Sequence, residues 1–444
     1  MIKQSHWLRT LGTGVLLLVL ALAVVPAQAR PDQPASAQSG TPAASLTPIQ
    51  HIIIIDKENR TFDNYFGTFP GADGATTYKT LGGYTRKLNH QPDNLSNGIA
   101  HTAQDAHLAY DGGKMDKFSQ IPGAMQNGVD EADAQLYQSD IPNYWRYASA
   151  FTLADRVFSM IMGPSFPNHL FSIAIRDNQV DNNPAISDPT MWSRWGCDAP
   201  AGTTVEQRFS DGTTSNIFPC FNFTTLGDLL TAHNISWKYY APAQDQSGYQ
   251  WSAYNAIAHI RQTDQWAAHV VPVENFAADA ASGNLPAVSW LVEDADHSEH
   301  APHSVCIGEN WSVQQINAIM QNPALWQTTA IILTWDDFGG MYDHVPPPQG
   351  PNPQIEYGFR VPTILISPYA KPGHIDHTTY SFPAMLKFVE ANYGLPPLGA
   401  LDKVSPNMFA AFNFSQAPLP PLILTQRTCP PIVSHQLNYA DDQE

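Results

Sequence analysis

The sequence predicts a layered α/β domain in which a mostly parallel sheet packs between helices. Two observations lead to this prediction. Short apolar runs alternate along the chain with segments whose apolar residues recur at helical spacing, which is typical of a parallel sheet. Two of those runs, Ile52–Ile55 and Ile331–Trp335, end directly in acidic residues. In such sheets ligands bind just beyond the carboxyl ends of the strands, so these two ends are the expected place for a site.

The N-terminal 29 residues are predicted to be a secretory signal peptide (1–29) and not part of the fold. Lys3 and Arg9 precede the apolar run Val15–Val25, and the A-x-A pattern Ala27–Ala29 follows it. The run is shorter than a membrane-spanning helix requires, and a retained anchor is the alternative. The protein is therefore expected to be secreted, periplasmic or otherwise extracytoplasmic.

The remaining chain is predicted to divide into three parts. Residues 30–48 are rich in Pro, Ala, Ser and Gln and are predicted to be a disordered linker. Residues 49–412 are predicted to form the folded domain. Residues 413–444 are Pro-rich and are predicted to be a tail that wraps around the surface.

Within the folded domain, strands and helices are predicted in alternation. After the first strand, loops are expected to about Ile141. The predicted order is then a helix at 142–160 leading into a strand or turn, a small-residue turn at Gly163–Leu170, an irregular insertion at 188–222, a helix at 223–235, strands at 235–241 and from Ala287, a helix at 313–326, strands at Ile331–Trp335 and 360–370, and a helix at 382–394.

The charge balance excludes some partners. The chain has 22 basic and 40 acidic residues and a formal net charge of −18. Such a surface argues against nucleic acid as a partner, because phosphate backbones bind basic surfaces. It also argues against tight docking on anionic lipid. The sequence implies no stable protein partner.

The four cysteines are compatible with disulfides in an exported protein. Three pairings are possible, and the sequence cannot choose among them. Cys197–Cys220 is the favoured pair because both residues lie in one Gly/Pro/Thr-rich insertion. CxxC spacing is absent, so a thiolate metal site is not expected. Cys306 lies close to a histidine cluster and is interpreted as a structural thiol.

The residues after the two apolar runs are typical ligands of a hard cation. Glu58 and Asn59 follow the first strand, and Asp336 and Asp337 follow the second. Adjacent carboxylates repel each other, so a cation or hydrogen bonds must offset that repulsion. The alternative interpretation of both groups is a solvated acidic turn, with Asn59 as a cap.

Five segments in the expected order resemble the bacterial phosphoesterase family, which contains phospholipases C and related acid phosphatases. They are ENRTFDNYFG at 58–67, GGKMDKF at 112–118, GPSFPNHL at 163–170, TWDDFGGMYDHVPPP at 334–348 and GFRVPTILISPYAKPGHIDHTTYS at 358–381. The resemblance covers most of the chain from about 49 to 392. The resemblance implies a three-layer α/β/α, alkaline-phosphatase-like core with long loop insertions. It also implies that residues 49–412 form a phosphoesterase catalytic domain.

The resemblance also implies a set of metal ligands and a nucleophile. One divalent metal ion, which the sequence leaves open as Ca, Mg, Mn or Zn, would be held by Glu58, Asn59, Asp336, Asp337 and the Ser165 oxygen. Ser165 would attack phosphorus, and its alternative is an ordinary turn serine. Asn168 is expected to bind substrate as a phosphate donor or, alternatively, to anchor the turn.

Four histidines are candidate catalytic groups on the same grounds. His300 is the favoured acid for the leaving alcohol, with His107 and His101 behind it. The family often has Glu-His-Pro here, whereas this chain has Glu299-His300-Ala301, which leaves the assignment open. His344 would stabilise phosphate charge or act as an acid, and its alternative is a structural histidine.

The function implied is a secreted, metal-dependent phosphoesterase of the phospholipase C type, acting on a phospholipid head group. An acid phosphatase acting on phosphomonoesters is the alternative, and a non-catalytic secreted binding protein is a third. Six aromatic residues suggest a choline cage, against the alternative of core packing: Trp237, Tyr239, Tyr240, Tyr249, Trp251 and Tyr254. The absence of C-x-P-x-R and S-x-P-x-R motifs argues against usual sulfatase chemistry.

Overall fold

The computed structural model describes residues 44–244, 246–350 and 355–432. The predicted signal peptide, most of the predicted linker and the last part of the tail lie outside these residues. Residues 44–48, at the end of the predicted linker, are among the described residues, and the Leu46 amide donates to the Asn392 carbonyl oxygen over 2.7 Å. Among the described residues, no helix is long and apolar enough to cross a membrane.

An eight-stranded sheet forms the centre of the fold, which confirms the predicted mixed α/β class. In chain order the strands are β1 (His51–Lys57), β2 (Thr152–Ala154), β3 (Trp237–Ala241), β4 (Val270–Pro272), β5 (Val288–Leu291), β6 (Thr329–Trp335), β7 (Thr363–Ile366) and β8 (His374–Asp376). Their order in the sheet is β4-β3-β5-β1-β6-β7-β2-β8, and only β7 runs antiparallel to its neighbours.

The two acid-terminated runs are neighbouring parallel strands at the middle of this sheet. Both β1 and β6 are buried along almost their whole length, since helices cover both faces, and this explains their continuous apolar sequence. Ile55 pairs with Leu333 and Lys57 pairs with Trp335. The two strands therefore end at the same level, and the polar residues that follow them meet at one edge.

Helices lie on both faces of the sheet. Neighbouring residues of β3 show this, because side chains alternate along a strand. The Tyr240 hydroxyl donates to Asp279 of the helix Asn275–Ser282 on one face. On the other face, Trp290, which pairs with Tyr239, donates from its indole nitrogen to the Ser172 carbonyl oxygen of the helix Ser165–Ile173. The helices are α1 (Phe62–Phe66), α2 (Ala103–Tyr110), α3 (Pro142–Ala150), α4 (Ser165–Ile173), α5 (Leu226–Ala232), α6 (Ala258–Arg261), α7 (Asp264–His269), α8 (Asn275–Ser282), α9 (Val305–Met320), α10 (Pro323–Trp326), α11 (Pro383–Tyr393) and α12 (Ala400–Val404).

Several predicted elements differ in extent from those observed. The predicted helix 313–326 is two helices, α9 and α10, and α10 begins at Pro323. The predicted helix 382–394 is α11, and it ends as expected at Gly394, which has a φ of 64°. The predicted turn at Gly163–Leu170 is wrong, because α4 begins at Ser165. The region expected to be loops up to Ile141 contains α1 and α2.

The connections between these elements contain short two-stranded β-ribbons. One of them, in the insertion predicted to be irregular, pairs Val205–Arg208 with Thr214–Ile217. The others are Thr77–Lys79 with Thr85–Lys87, Asn89–His90 with Ala134–Gln135, Met125–Gln126 with Val129–Asp130, and Val157–Phe158 with Tyr380–Ser381.

Both disulfides are formed in the structure. Cys197 pairs with Cys220, which confirms the favoured pairing. Cys306 pairs with Cys429 across 123 residues of sequence, so the interpretation of Cys306 as a thiol is wrong. Residues 424–429 run beside α9, where the side-chain amide of Asn317 donates to the Leu424 carbonyl oxygen over 2.7 Å.

Candidate active site

Ser165 lies at the meeting point of the two central strand ends. Its Oγ is 3.1 Å from Glu58 Oε2, 3.3 Å from Asp337 Oδ2 and 3.5 Å from Asn59 Oδ1. All four side chains are buried. Residues that are more than 100 positions apart in sequence thus surround one hydroxyl oxygen.

The helix α4 presents this hydroxyl from its first residue. Pro164 is extended and precedes the helix, and Pro167 falls in the first turn, where a missing N–H group breaks no helical hydrogen bond. The Phe166 amide donates to Asn183 Oδ1 over 2.9 Å. Ser165 therefore lies on a regular helix and not on the small-residue turn that the sequence predicted.

Asn168 anchors the segment that leads into α4 and is not placed to bind substrate. Its Oδ1 accepts from the amides of Met160 and Ile161, at 3.0 and 2.9 Å. Its Nδ2 lies 3.0–3.2 Å from three carbonyl oxygens, and the side chain is completely buried. These contacts use the whole amide, so the prediction of Asn168 as a phosphate donor is corrected to its alternative, a structural anchor. The three carbonyl oxygens belong to Ile161, Gly163 and Pro164.

The two carboxylate oxygens of Asp336 have different environments. Its Oδ1 accepts from the amides of Asn59 and Asp337 at 2.8 and 2.7 Å. Its Oδ2 is buried and has no hydrogen-bond partner among the described residues. Gly339 has a φ of 55°, and a Cβ there would lie 2.5 Å from the Asn59 side chain, so only glycine permits this close approach.

His101 fixes the orientation of Asn59. The His101 Nδ1 donates to the Ile99 carbonyl oxygen at 2.8 Å, and its Nε2, 3.2 Å from Asn59 Nδ2, is then an acceptor. The Asn59 amide group must therefore point its nitrogen at His101 and its oxygen at Ser165. Asn59 itself has a φ of 61°, a conformation that asparagine tolerates better than most residues.

His300 lies beside His101, and the adjacent Glu299 holds it there. The two imidazole rings are 5.5 Å apart between centroids, and the Trp251 ring stacks on His300 at 5.8 Å. The Glu299 carboxylate is buried and accepts hydrogen bonds from Tyr65, Tyr144 and Trp335 at 2.5–3.1 Å. Lys57 Nζ lies 3.4 Å from it. The Glu299 carboxylate thus contacts the end of β1, the end of β6 and α3, and these contacts hold the residue that precedes His300 in place.

The electrostatics of the site favour a bound cation. Burial, followed by the charge of Asp336, raises the pKa of Glu58, Asp337 and Asp56 well above the ordinary carboxyl value. No lysine or arginine is paired with Glu58, Asp336 or Asp337 in the described part of the chain. The unpartnered Asp336 oxygen and this oxygen-rich donor set fit a divalent ion.

His169 is a member of the site that the sequence analysis missed. It lies one helical turn after Ser165 on α4, and its Nε2 is 2.7 Å from Glu58 Oε1. The same atom is 3.6 Å from Asp336 Oδ2, and Nδ1 is 3.5 Å from Asp56 Oδ2. Burial lowers its pKa. The i, i+4 spacing of Ser165 and His169 would have indicated it, had GPSFPNHL been interpreted as a helix.

The structure places the other two candidate histidines elsewhere. The His107 Nε2 lies 2.7 Å from Glu356, and the side chain is half exposed. His344 Nδ1 lies 2.7 Å from Asp63, in a cluster in which Arg360 contacts Asp63 and Asp343 at 3.2 and 2.9 Å. The prediction that both act beside Ser165 is not supported by these contacts. His344 instead belongs to a cluster of charged side chains with Asp63, Asp343 and Arg360.

The proposed choline cage is also absent from these positions. The six aromatic residues are at most 3% exposed and pack in the core: Trp237, Tyr239, Tyr240, Tyr249, Trp251 and Tyr254. The alternative of core packing is correct, and only Trp251 reaches a candidate catalytic residue, His300.

Known proteins are similar to this chain over most of its length. The model of the Phosphoesterase family matches residues 49–396. Phospholipase C A of Mycobacterium tuberculosis is 26% identical over 84% of this chain and 79% of its own length. The non-hemolytic phospholipase C of Pseudomonas aeruginosa is 25% identical over 91% of this chain and 63% of its own length.

A more distant likeness extends to solved structures. The phosphonate monoester hydrolase of Agrobacterium radiobacter covers 80% of this chain and 75% of its own, with 11% identity and a TM-score of 0.31. A 2-O GAG sulfatase covers 83% of this chain and 76% of its own, with 10% identity and a TM-score of 0.38. The match of the family model, which spans both central strands and the Ser165 helix, decides the assignment. The chain belongs to the Phosphoesterase family and is a hydrolase acting on phosphoric ester bonds.

Proposed function

We propose that the protein is a secreted, metal-dependent phosphodiesterase of the phospholipase C type that uses Ser165 as its nucleophile. The observation that carries the proposal is the convergence of Glu58, Asn59 and Asp337 oxygens within 3.5 Å of Ser165 Oγ. The relatives named phospholipase C support the diester as substrate.

The metal would be held by Glu58, Asn59, Asp336 and Asp337, with the Ser165 oxygen. A bound divalent ion would polarise the phosphoryl oxygens and offset the charge that develops on them. It would also relieve the repulsion between carboxylates that burial leaves unpaired. Every one of these residues is buried, so the surrounding fold holds their side chains in place.

Ser165 would attack phosphorus in line with the leaving alcohol. Its proton passes to a neighbouring carboxylate, and Glu58 Oε2 at 3.1 Å is the nearest. The P–O bond to the alcohol breaks as the Oγ–P bond forms. Water then attacks the phosphoserine and gives one proton to His300, while the Oγ–P bond breaks. The phosphomonoester leaves, and the proton held by Glu58 returns to Ser165 Oγ.

His300 would supply the proton that the departing alcohol needs. Its Nδ1 donates to the Ala301 carbonyl oxygen over 2.7 Å, so Nε2 is the atom that exchanges a proton with substrate. His101 acts differently, since its Nε2 accepts from Asn59. We assign it to holding the Asn59 oxygen toward Ser165.

Hydrolysis of two chromogenic esters tests the proposal. Purified protein is assayed on p-nitrophenylphosphorylcholine and on p-nitrophenyl phosphate, with and without chelator and after readdition of single divalent ions. We expect preference for the diester, loss of activity with chelator and recovery with metal. Preference for the monoester would move the assignment to a phosphatase.

Two variants define the role of Ser165. Ser165→Ala should reduce kcat by at least about a thousandfold, as expected for loss of a nucleophile. Ser282→Ala is the matched control, since that hydroxyl donates to a carbonyl oxygen of its own helix on the surface. Full turnover by Ser165→Ala would refute the mechanism. Activity on neither ester would favour a binding protein on the same fold.

A further inference from the structure

We propose that His169 is a nitrogen ligand of the metal and that Asp56 orients it. This inference rests on the proposed function, because it concerns the same ion. Glu58, His169 and Asp336 could hold one ion together, because their ligand atoms all lie within 4.8 Å of one another. All three are buried.

The separations suit ligation of one ion. Ligands about 2.0–2.2 Å from a metal lie roughly 3 Å from each other when they are neighbours. The His169 Nε2 is 2.7 Å from Glu58 Oε1 and 3.6 Å from Asp336 Oδ2, on either side of that value. The Asp336 oxygen has no hydrogen-bond partner among the described residues and faces this nitrogen.

The other ring nitrogen supports the same assignment. When Nε2 faces a cation, the ring hydrogen must reside on Nδ1. The His169 Nδ1 has no hydrogen-bond partner among the residues described, yet Asp56 Oδ2 is 3.5 Å away. A carboxylate behind a metal-bound imidazole is a recurring arrangement that fixes the ring and raises its basicity.

An imidazole ligand changes which ion the site prefers. Carboxylate and amide oxygens alone suit Ca²⁺ and Mg²⁺, whereas imidazole nitrogen suits Zn²⁺ and other transition ions. The site should therefore discriminate against Ca²⁺ and bind Zn²⁺ more tightly. A purely structural His169, donating from Nε2 to Glu58, would give no such preference.

Spectroscopy of the Mn²⁺-loaded protein provides a direct test. The metal-free protein is loaded with one equivalent of Mn²⁺ and studied by pulsed electron paramagnetic resonance. We expect coupling to an imidazole nitrogen in the wild type and in His90→Gln, and its loss in His169→Gln. His90 is the matched control, because it is an exposed histidine paired with Asp140. The wild-type spectrum remains informative even if His169→Gln folds poorly.

Affinity measurements give the second readout. Zn²⁺ binding should weaken about tenfold or more in His169→Gln, while Ca²⁺ binding changes little. Mn²⁺ bound without nitrogen coupling, or coupling that survives in His169→Gln, would overturn the inference. If Asp337→Asn then still weakened binding, the proposed function would stand. A wild type that binds no divalent ion would refute both.

Discussion

Replacing Asn168 by alanine tests whether this residue is an anchor or a substrate contact. The change removes the acceptor of two buried amides, those of Met160 and Ile161, and the donor to three carbonyl oxygens. A buried donor left without a partner costs about 1–3 kcal/mol. Two such amides lead us to expect a loss of about 4 kcal/mol in the free energy of unfolding.

Denaturant unfolding measures this loss, with Asn183→Ala as the matched control. Asn183 accepts a single amide hydrogen bond, from Phe166 in the same segment, so its removal should cost only about 1 kcal/mol. The diesterase KM of Asn168→Ala, measured at a temperature where the variant is folded, should be nearly unchanged. An unchanged free energy of unfolding together with a strongly raised KM would refute the anchor role.

Three further predictions concern stability. Burial raises the pKa of Glu309 to about 7 in the folded protein. As the pH rises, the Glu309 carboxyl therefore loses its proton first in the unfolded chain, and the free energy of unfolding falls between roughly pH 4.5 and 7. In Glu309→Gln this fall should be smaller by up to about 3 kcal/mol, as measured by denaturant unfolding at a series of pH values. Removing the bridge between Cys306 and Cys429 by double substitution with serine should cost up to about 4–5 kcal/mol in denaturant unfolding, because it closes a long loop. Arg360→Met leaves buried carboxylates without their cation and should cost about 3–5 kcal/mol by the same measurement, and a neutral effect would contradict that account.

The sequence was sufficient to predict the sheet and the core of the site. The strands β1 and β6 are buried on both faces, so their residues must be continuously apolar, and the polar residues after them stand out. Because parallel strands end at the same edge, Glu58, Asn59 and Asp336 had to lie together. The paths of the loops do not affect where these strand ends lie.

The remaining parts of the site depended on loops and on one misread helix. Two prolines near Ser165 suggested a turn, yet a proline in the first helical turn breaks no hydrogen bond, and the error concealed His169. His344 follows Asp337 closely in sequence, but the intervening loop carries it to Asp63 and Arg360. Sequence proximity does not determine the direction that such a loop takes.

The shared carboxylate of Glu299 has a consequence for motion. Tyr65, Tyr144 and Trp335 all donate to it, and they come from α1, α3 and the end of β6. A local fluctuation that separated any one of these elements would leave the buried carboxylate without one of its hydrogen bonds, and a buried charge that lacks a hydrogen bond is costly in free energy. We therefore expect the strand ends that carry the site to open only when the whole domain unfolds. The site should then keep its geometry throughout catalysis.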